Sequence, residues 1–108
     1  MKIKINNQEI LIINANTFLK KLKGLMHKKN INYGMYFPKT NSIHTFFMKD
    51  NIDVIGLNEN NIIIYKKENV SKNKMLFINY KYQKTSVLEL PKNTSQSLNI
   101  GDKITFYK

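Results

Sequence analysis

The groups able to do chemistry in this chain crowd into one block. From residue 44 it reads His44-Thr45-Phe46-Phe47-Met48-Lys49-Asp50-Asn51-Ile52-Asp53, and a further acid, Glu89, stands in the run Val87-Leu88-Glu89-Leu90-Pro91. A strand turns successive side chains to opposite faces. On that geometry Asp53 shares a face with Ile55 and Leu57, so its carboxylate needs hydrogen bonds or a cation. Lys49, His44 or turn amides are the partners to expect. The plainer reading is a structural carboxylate that pins the loop around Lys49-Asp50-Asn51, because ion-pair networks also hold acids in apolar settings. The functional reading makes Asp53 part of a ligand pocket.

His44 alternates with Phe46 and Met48, while Ile43, Thr45 and Phe47 face the other way. That gives an apolar wall with one group that titrates near neutrality. Its plainer reading is a satisfied core histidine among packing residues. Glu89 is flanked by Leu88 and Leu90, which point away from it, so an exposed outer face is its expected place. An acid–base pair of Asp53 with Glu89 is chemically available, but nothing in the order of residues brings the two together. The candidate ligand-binding set is therefore His44, Met48, Lys49, Asp53 and Glu89, with no catalytic residue assignable.

Other chemistry is narrowed by composition. No cysteine exists, which excludes disulfides, thiolate ligands and a cysteine nucleophile. His27 and His44 are the two histidines, without the spacing of a metal-binding pair. No metal and no cofactor is expected.

Eighteen lysines against seven acids give a net charge of +11. Such a balance invites nucleic acid or anionic lipid as a partner. Every cation is lysine, however, and arginine is the better fork for phosphate and guanine. Lysine, asparagine and isoleucine are all favoured by AT-rich coding, so a solvated lysine surface is the preferred reading. Nucleic acid stays as an alternative, because Tyr80 and Tyr82 interleave with lysines in Asn79-Tyr80-Lys81-Tyr82-Gln83-Lys84, and aromatic platforms amid positive charge hold single strands.

The elements that must position these groups are short. The chain of 108 residues fits a single domain, residues 1–108. No stretch approaches the roughly 20 apolar residues of a membrane span, and the N-terminus alternates instead of forming a signal-peptide run; a cytoplasmic protein is expected. Lys2–Ile5 and Glu9–Ile13 read as a hairpin about Asn6-Asn7-Gln8. From Asn16 the period changes: Phe18, Leu19, Leu22, Leu25 and Met26 fall on one arc of about 120°, which predicts an amphipathic helix over residues 17 to 28. Strands are expected at Gly34–Phe37, Ile43–Lys49, Ile52–Leu57, Ile62–Tyr65, Met75–Tyr82, Ser86–Leu90 and Lys103–Tyr107. The cleanest hairpin joins Ile52–Leu57 to Ile62–Tyr65 through Asn58-Glu59-Asn60-Asn61. The expected fold is α+β: mainly antiparallel β, a barrel-like sheet with one early amphipathic helix.

Four segments in order carry a family resemblance. They are Lys23-Gly24-Leu25-Met26, Gly34-Met35-Tyr36-Phe37, the block His44–Lys49 with Ile52-Asp53-Val54-Ile55, and Val87-Leu88-Glu89-Leu90-Pro91 followed by Gly101-Asp102. In these the chain resembles the domain of unknown function 192 family. It departs from the pattern at Phe47, where many members carry tryptophan, at Gly56, where a bulky residue is usual, and at Lys92-Asn93-Thr94, which lacks a common glycine. The resemblance implies a compact β-rich fold of bacterial or archaeal origin, and no reaction. Three functions are weighed, in this order: a small binding or accessory domain with a ligand or peptide cleft near His44 and Asp53, a single-strand nucleic-acid binder, and an enzyme with an unidentified acid/base site.

Overall fold

The computed structural model describes residues 1–15, 32–46, 48–78 and 84–108. Its strands are β1 (Lys2–Ile5), β2 (Gln8–Asn14), β3 (Gly34–Phe37), β4 (Ser42–His44), β5 (Ile52–Leu57), β6 (Ile63–Val70), β7 (Met75–Phe77) and β8 (Ser86–Pro91). Six form one sheet in the order β1-β2-β3-β8-β5-β6, and β4 pairs with β7 as a separate ribbon. Neighbours in the large sheet run antiparallel except β2 and β3, which are parallel.

Local chemistry explains the turns. Asn6 and Asn7 have φ of 50° and 64°, the two left-handed residues that a tight hairpin turn demands, so Ile5 lies opposite Gln8. In the β5–β6 turn the side-chain oxygen of Asn58 accepts from the amides of Asn60 (2.9 Å) and Ile62 (3.0 Å). Asn61 then takes a φ of 60°.

The large sheet curls into a half-barrel. Residues from β1 and β2 at one end and from β5, β6 and β8 toward the other share one core: Ile3, Ile10, Ile12, Ile55, Leu57, Ile63, Leu88 and Leu90 are among its buried members. They can meet only inside the curl. The C-terminal segment draws the two edges together. Lys2 and Tyr107 exchange backbone hydrogen bonds of 2.7 and 3.0 Å on the β1 side, while the Ile63 amide donates to Asp102 (2.8 Å) and the Ile104 amide to Asn61 (2.9 Å) on the β6 side. The strand expected over Lys103–Tyr107 is thus two isolated bridges, because the segment spans between edges and lies along neither. A second core packs on the outer face, where Met35, Phe37, Met48, Ile52, Val54 and Val87 meet Ile78 and, from the ribbon, Ile43 and Leu76. β5 and β8 lie between these two layers, which is why every residue of β5 is buried.

The α+β expectation is corrected to a β fold. Every element among the described residues is a strand, and the mainly β, curled architecture is as expected. The residues expected to form the helix, 17 to 28, lie outside the described residues. That helix rested on the apolar arc of Phe18, Leu19, Leu22, Leu25 and Met26; among the described residues, the outer face of the sheet is covered by the β4–β7 ribbon and Ile78. Strand lengths also differ. The expected Ile43–Lys49 strand is only Ser42–His44, and β6 runs on to Val70.

Gly56 finds its explanation here. A Cβ at this position would stand 2.6 Å from Ile78 Cδ1 and 2.8 Å from Tyr65 Cβ. Ile78 occupies the volume that a bulky residue at position 56 would need. Partial burial of Tyr65 pushes its phenol pKa above the usual 10.0. No helix of the described residues is long and apolar enough to cross a membrane.

Candidate functional site

Asp53 is fully buried and held by loop donors. Its Oδ1 accepts from the amide of Asn69 at 2.9 Å and, more weakly, from Asn93 at 3.4 Å. Its Oδ2 accepts from the amide of Ser95 at 3.0 Å and from the Ser95 hydroxyl at 2.6 Å. Both asparagines have left-handed backbones, with φ of 53° and 66°. At Asn69 this comes with a bulge: Ile52 pairs with Val70 and Val54 with Lys67, so two β6 residues oppose Asp53. Asn93 fills the turn where the family glycine is missing. Of the partners expected, backbone amides are the ones supplied, joined by a hydroxyl; Lys49 is exposed and His44 lies on the ribbon. The carboxylate thereby ties β5, the β6 bulge and the loop after β8 into one joint.

Glu89 is buried, not on an exposed outer face, because β8 is covered on both sides. Register decides its relation to Asp53. Asp53 lies opposite Leu90 and faces the inside of the curl, whereas Glu89 lies opposite Val54 and Met35 and faces the second core. The two carboxylates point to opposite sides of the sheet, so they do not form an acid–base pair.

His44 and Met48 part company as well. Met48 is buried in the second core, whereas His44 turns outward on the ribbon. His44 stacks on Phe46 with ring centroids 5.0 Å apart and planes at 25°, and its Nδ1 accepts from the Phe46 amide at 3.3 Å. Across the ribbon His44 is opposite Met75, and Ser42 opposite Phe77, so these side chains share one face. Met75 is 49% exposed and Phe77 68%. The other face, Ile43 with Leu76, packs on the second core.

Thr45 anchors this ribbon. It is fully buried; its hydroxyl donates to the Ser71 carbonyl (2.7 Å) and accepts from the Lys74 amide (2.8 Å), while its own amide donates to the Lys74 carbonyl (2.9 Å). Ser71 and Lys72 of the loop held in this way line an adjacent depression of about 530 Å³ together with Met48, Lys49, Asp50 and Asn51. Asp50 there is ion-paired to Lys92 at 3.0 Å.

The structure therefore brings Met48 and Lys49 together at the depression, leaves His44 apart on the ribbon's outer face, and keeps Asp53 and Glu89 in the interior. Met75 and Phe77 were missed as surface residues, although their alternation about Leu76 carried the signal. Ser95, the strongest partner of Asp53, carried none. Among the described residues no cluster of three or more His, Asp or Glu side chains is arranged to hold a metal. Tyr80 and Tyr82 lie outside the described residues.

Three comparisons set this geometry among known proteins. A model of the DUF192 family, described as "Uncharacterized ACR", matches residues 1–106. The chain is 43% identical over 56 residues to the UPF0127 protein TK1120 of Thermococcus kodakarensis, and 41% identical over 56 residues to a UPF0127 protein of Thermococcus sibiricus. Each match covers 46% of this chain and 36% of the relative, so the chain spans about a third of the length of those relatives. In fold it is similar to a Novosphingobium aromaticivorans protein of unknown function, with a TM-score of 0.79, 17% identity, and coverage of 97% of this chain and 82% of that one. It is also similar to a Sinorhizobium meliloti protein described as a candidate transcription regulator, with a TM-score of 0.77, 17% identity, and coverage of 96% and 89%. At that identity the likeness is one of fold alone.

Proposed function

We propose, for a chain that belongs to the DUF192 family, that it is a binding domain that engages an extended, acidic protein segment on the outward face of the β4–β7 ribbon. The observation that carries this reading is the shared exposure of Phe46, Met75 and Phe77 beside His44. Contiguous exposed apolar side chains rimmed by polar ones mark interaction surfaces, and methionine adapts to varied partners.

Two features support the occupant. Lys49, Lys72 and Lys74 flank the ribbon in a chain of net charge +11, which complements carboxylates. Among the described residues β4 and β7 pair only with each other, which supports an added strand pairing at a ribbon edge. In that mode backbone bonds supply affinity, and alternate side chains seat on Phe77, Met75 and His44. Single-stranded nucleic acid is the less favoured occupant: arginine is absent, and the stacked pair of His44 and Phe46 spends one face of each ring on the other.

The test is an amide-shift titration of the ¹⁵N-labelled chain with a short peptide that alternates glutamate with leucine, and separately with oligo-dT. Saturable shifts confined to residues 42–46 and 72–77, from the peptide and not from the oligonucleotide, support the proposal. Shifts elsewhere, or a response to oligo-dT alone, overturn it.

A further inference from the structure

A second concavity, of about 640 Å³, opens at the other end of the ribbon, between the β3–β4 turn, the β5–β6 turn and the start of β8. Tyr36, Lys39, Asn61, Lys84 and Ser86 are among the residues that line it. Where the first site is apolar with a basic rim, this one carries hydroxyls, side-chain amides, two lysines and one carboxylate, Glu59, beside Pro38.

Lys39 is the informative residue. Seven non-glycine residues among those described have a positive φ; six are asparagine, and the seventh is Lys39, at 52°. Asparagine tolerates the left-handed region through its short polar side chain, and lysine has no such relief. In a chain that uses asparagine at each of the other positions, a lysine held in this conformation is a strained residue at a groove, the setting in which strain points to a role. Pro38 immediately before it fixes the entry to the turn, so the Lys39 side chain starts from a set place on the groove wall.

The rest of the groove fits an anion. The Tyr36 hydroxyl donates to Ser86 Oγ at 3.0 Å, which leaves the hydrogen of the serine hydroxyl to be donated in turn. Lys84 faces Glu59 at 4.0 Å, with both side chains well exposed. A pair that long and that wet is held weakly and exchanges readily for a better acceptor. We infer that this groove binds a small molecule through an oxyanion, a carboxylate or phosphate group, held between Lys39 and Lys84 with the Ser86 hydroxyl donating to it. Glu59 is the stand-in acceptor for Lys84 in the free protein, and a bound anion displaces it.

The probes are inorganic phosphate and acetate, titrated separately into the ¹⁵N-labelled chain at low ionic strength with sodium chloride as the control. Saturable shifts at Asn61, Thr85 and Ser86 are expected from at least one probe and not from chloride. Phosphate alone identifies a phosphoryl ligand, acetate alone a carboxylate. Lys39→Asn should weaken binding about tenfold while its melting temperature holds or rises, since asparagine suits the backbone better. Lys84→Gln should weaken binding similarly, and Glu59→Gln should tighten it. Wild-type affinity in Lys39→Asn, or shifts that follow chloride and spread to Lys72, Lys74 and Lys103, would overturn the inference.

Discussion

Replacing Asp53 by asparagine should destabilise the fold far more than its near-identical shape suggests. The buried carboxylate accepts from four donors, two to each oxygen. Asparagine keeps one acceptor and turns the other oxygen into an NH₂ group. If the amide nitrogen takes the Oδ1 place, it faces the N–H of Asn69 at 2.9 Å and that of Asn93 at 3.4 Å, donor against donor. If it takes the Oδ2 place, it faces the Ser95 amide at 3.0 Å and also the hydroxyl at 2.6 Å, although the hydroxyl can rotate to accept. Neither arrangement keeps every bond. Either one forfeits at least one good bond to a charged acceptor, worth about 1.5–3 kcal/mol, and leaves at least one N–H without its partner.

The net loss is therefore about 2–4 kcal/mol, a large share of the 5–15 kcal/mol typical of a domain. For a chain of this size that corresponds to a fall of about 10–20 °C in melting temperature. Urea unfolding followed by circular dichroism measures it. Ser95→Ala alone should cost about 1.5–3 kcal/mol through the lost 2.6 Å bond. Combined with Asp53→Asn the two costs should sum to less than their separate values, since both act on one joint. An Asp53→Asn variant within about 0.5 kcal/mol of wild type would refute the reasoning.

Three further outcomes follow from the packing. Gly56→Ala should cost about 1–3 kcal/mol because its Cβ meets Ile78 and Tyr65, and Ile78→Val should recover part of that loss in the double variant; thermal melts of the four proteins decide it. Thr45→Val keeps the shape but strips the loop of its hydroxyl anchor, so exchange of the Lys74 amide should accelerate while the amides of β5 stay protected. Burial raises the Tyr65 pKa, so between the ordinary tyrosine value and the raised one the unfolded chain ionises first. Stability should hold below pH about 10 and fall as pH rises through that window, with a shallower fall in Tyr65→Phe.

Much of the sheet was legible in the sequence because strand periodicity and asparagine turns are local signals. The hairpin at Asn6-Asn7 and the one at Asn58–Asn61 need nothing beyond the residues at the turn. Asp53 was legible as a carboxylate on an apolar face, since alternation alone puts it with Ile55 and Leu57. Its partners were not, because Asn69, Asn93 and Ser95 reach it only through the bulge and the loop that the fold brings round. Glu89 was misplaced for a similar reason. Alternation separates it from Leu88 and Leu90 but does not say whether the opposite face is covered, and here a second core covers it. Lys103–Tyr107 has strand composition, yet its hydrogen bonds divide between two edges.

The claim at the centre of this account is that the ribbon face binds an acidic, extended segment. The direct measurement is the dissociation constant of a glutamate–leucine alternating peptide for the wild-type chain and for the Met75→Ser/Phe77→Ser variant, at about 0.15 M salt, where exposed charges alone are screened. Because both side chains are largely exposed, the variant should melt with the wild type. Its affinity should fall at least tenfold, about 1.4 kcal/mol or more. Equal affinity in the two proteins, or no saturable binding by the wild type, would contradict it.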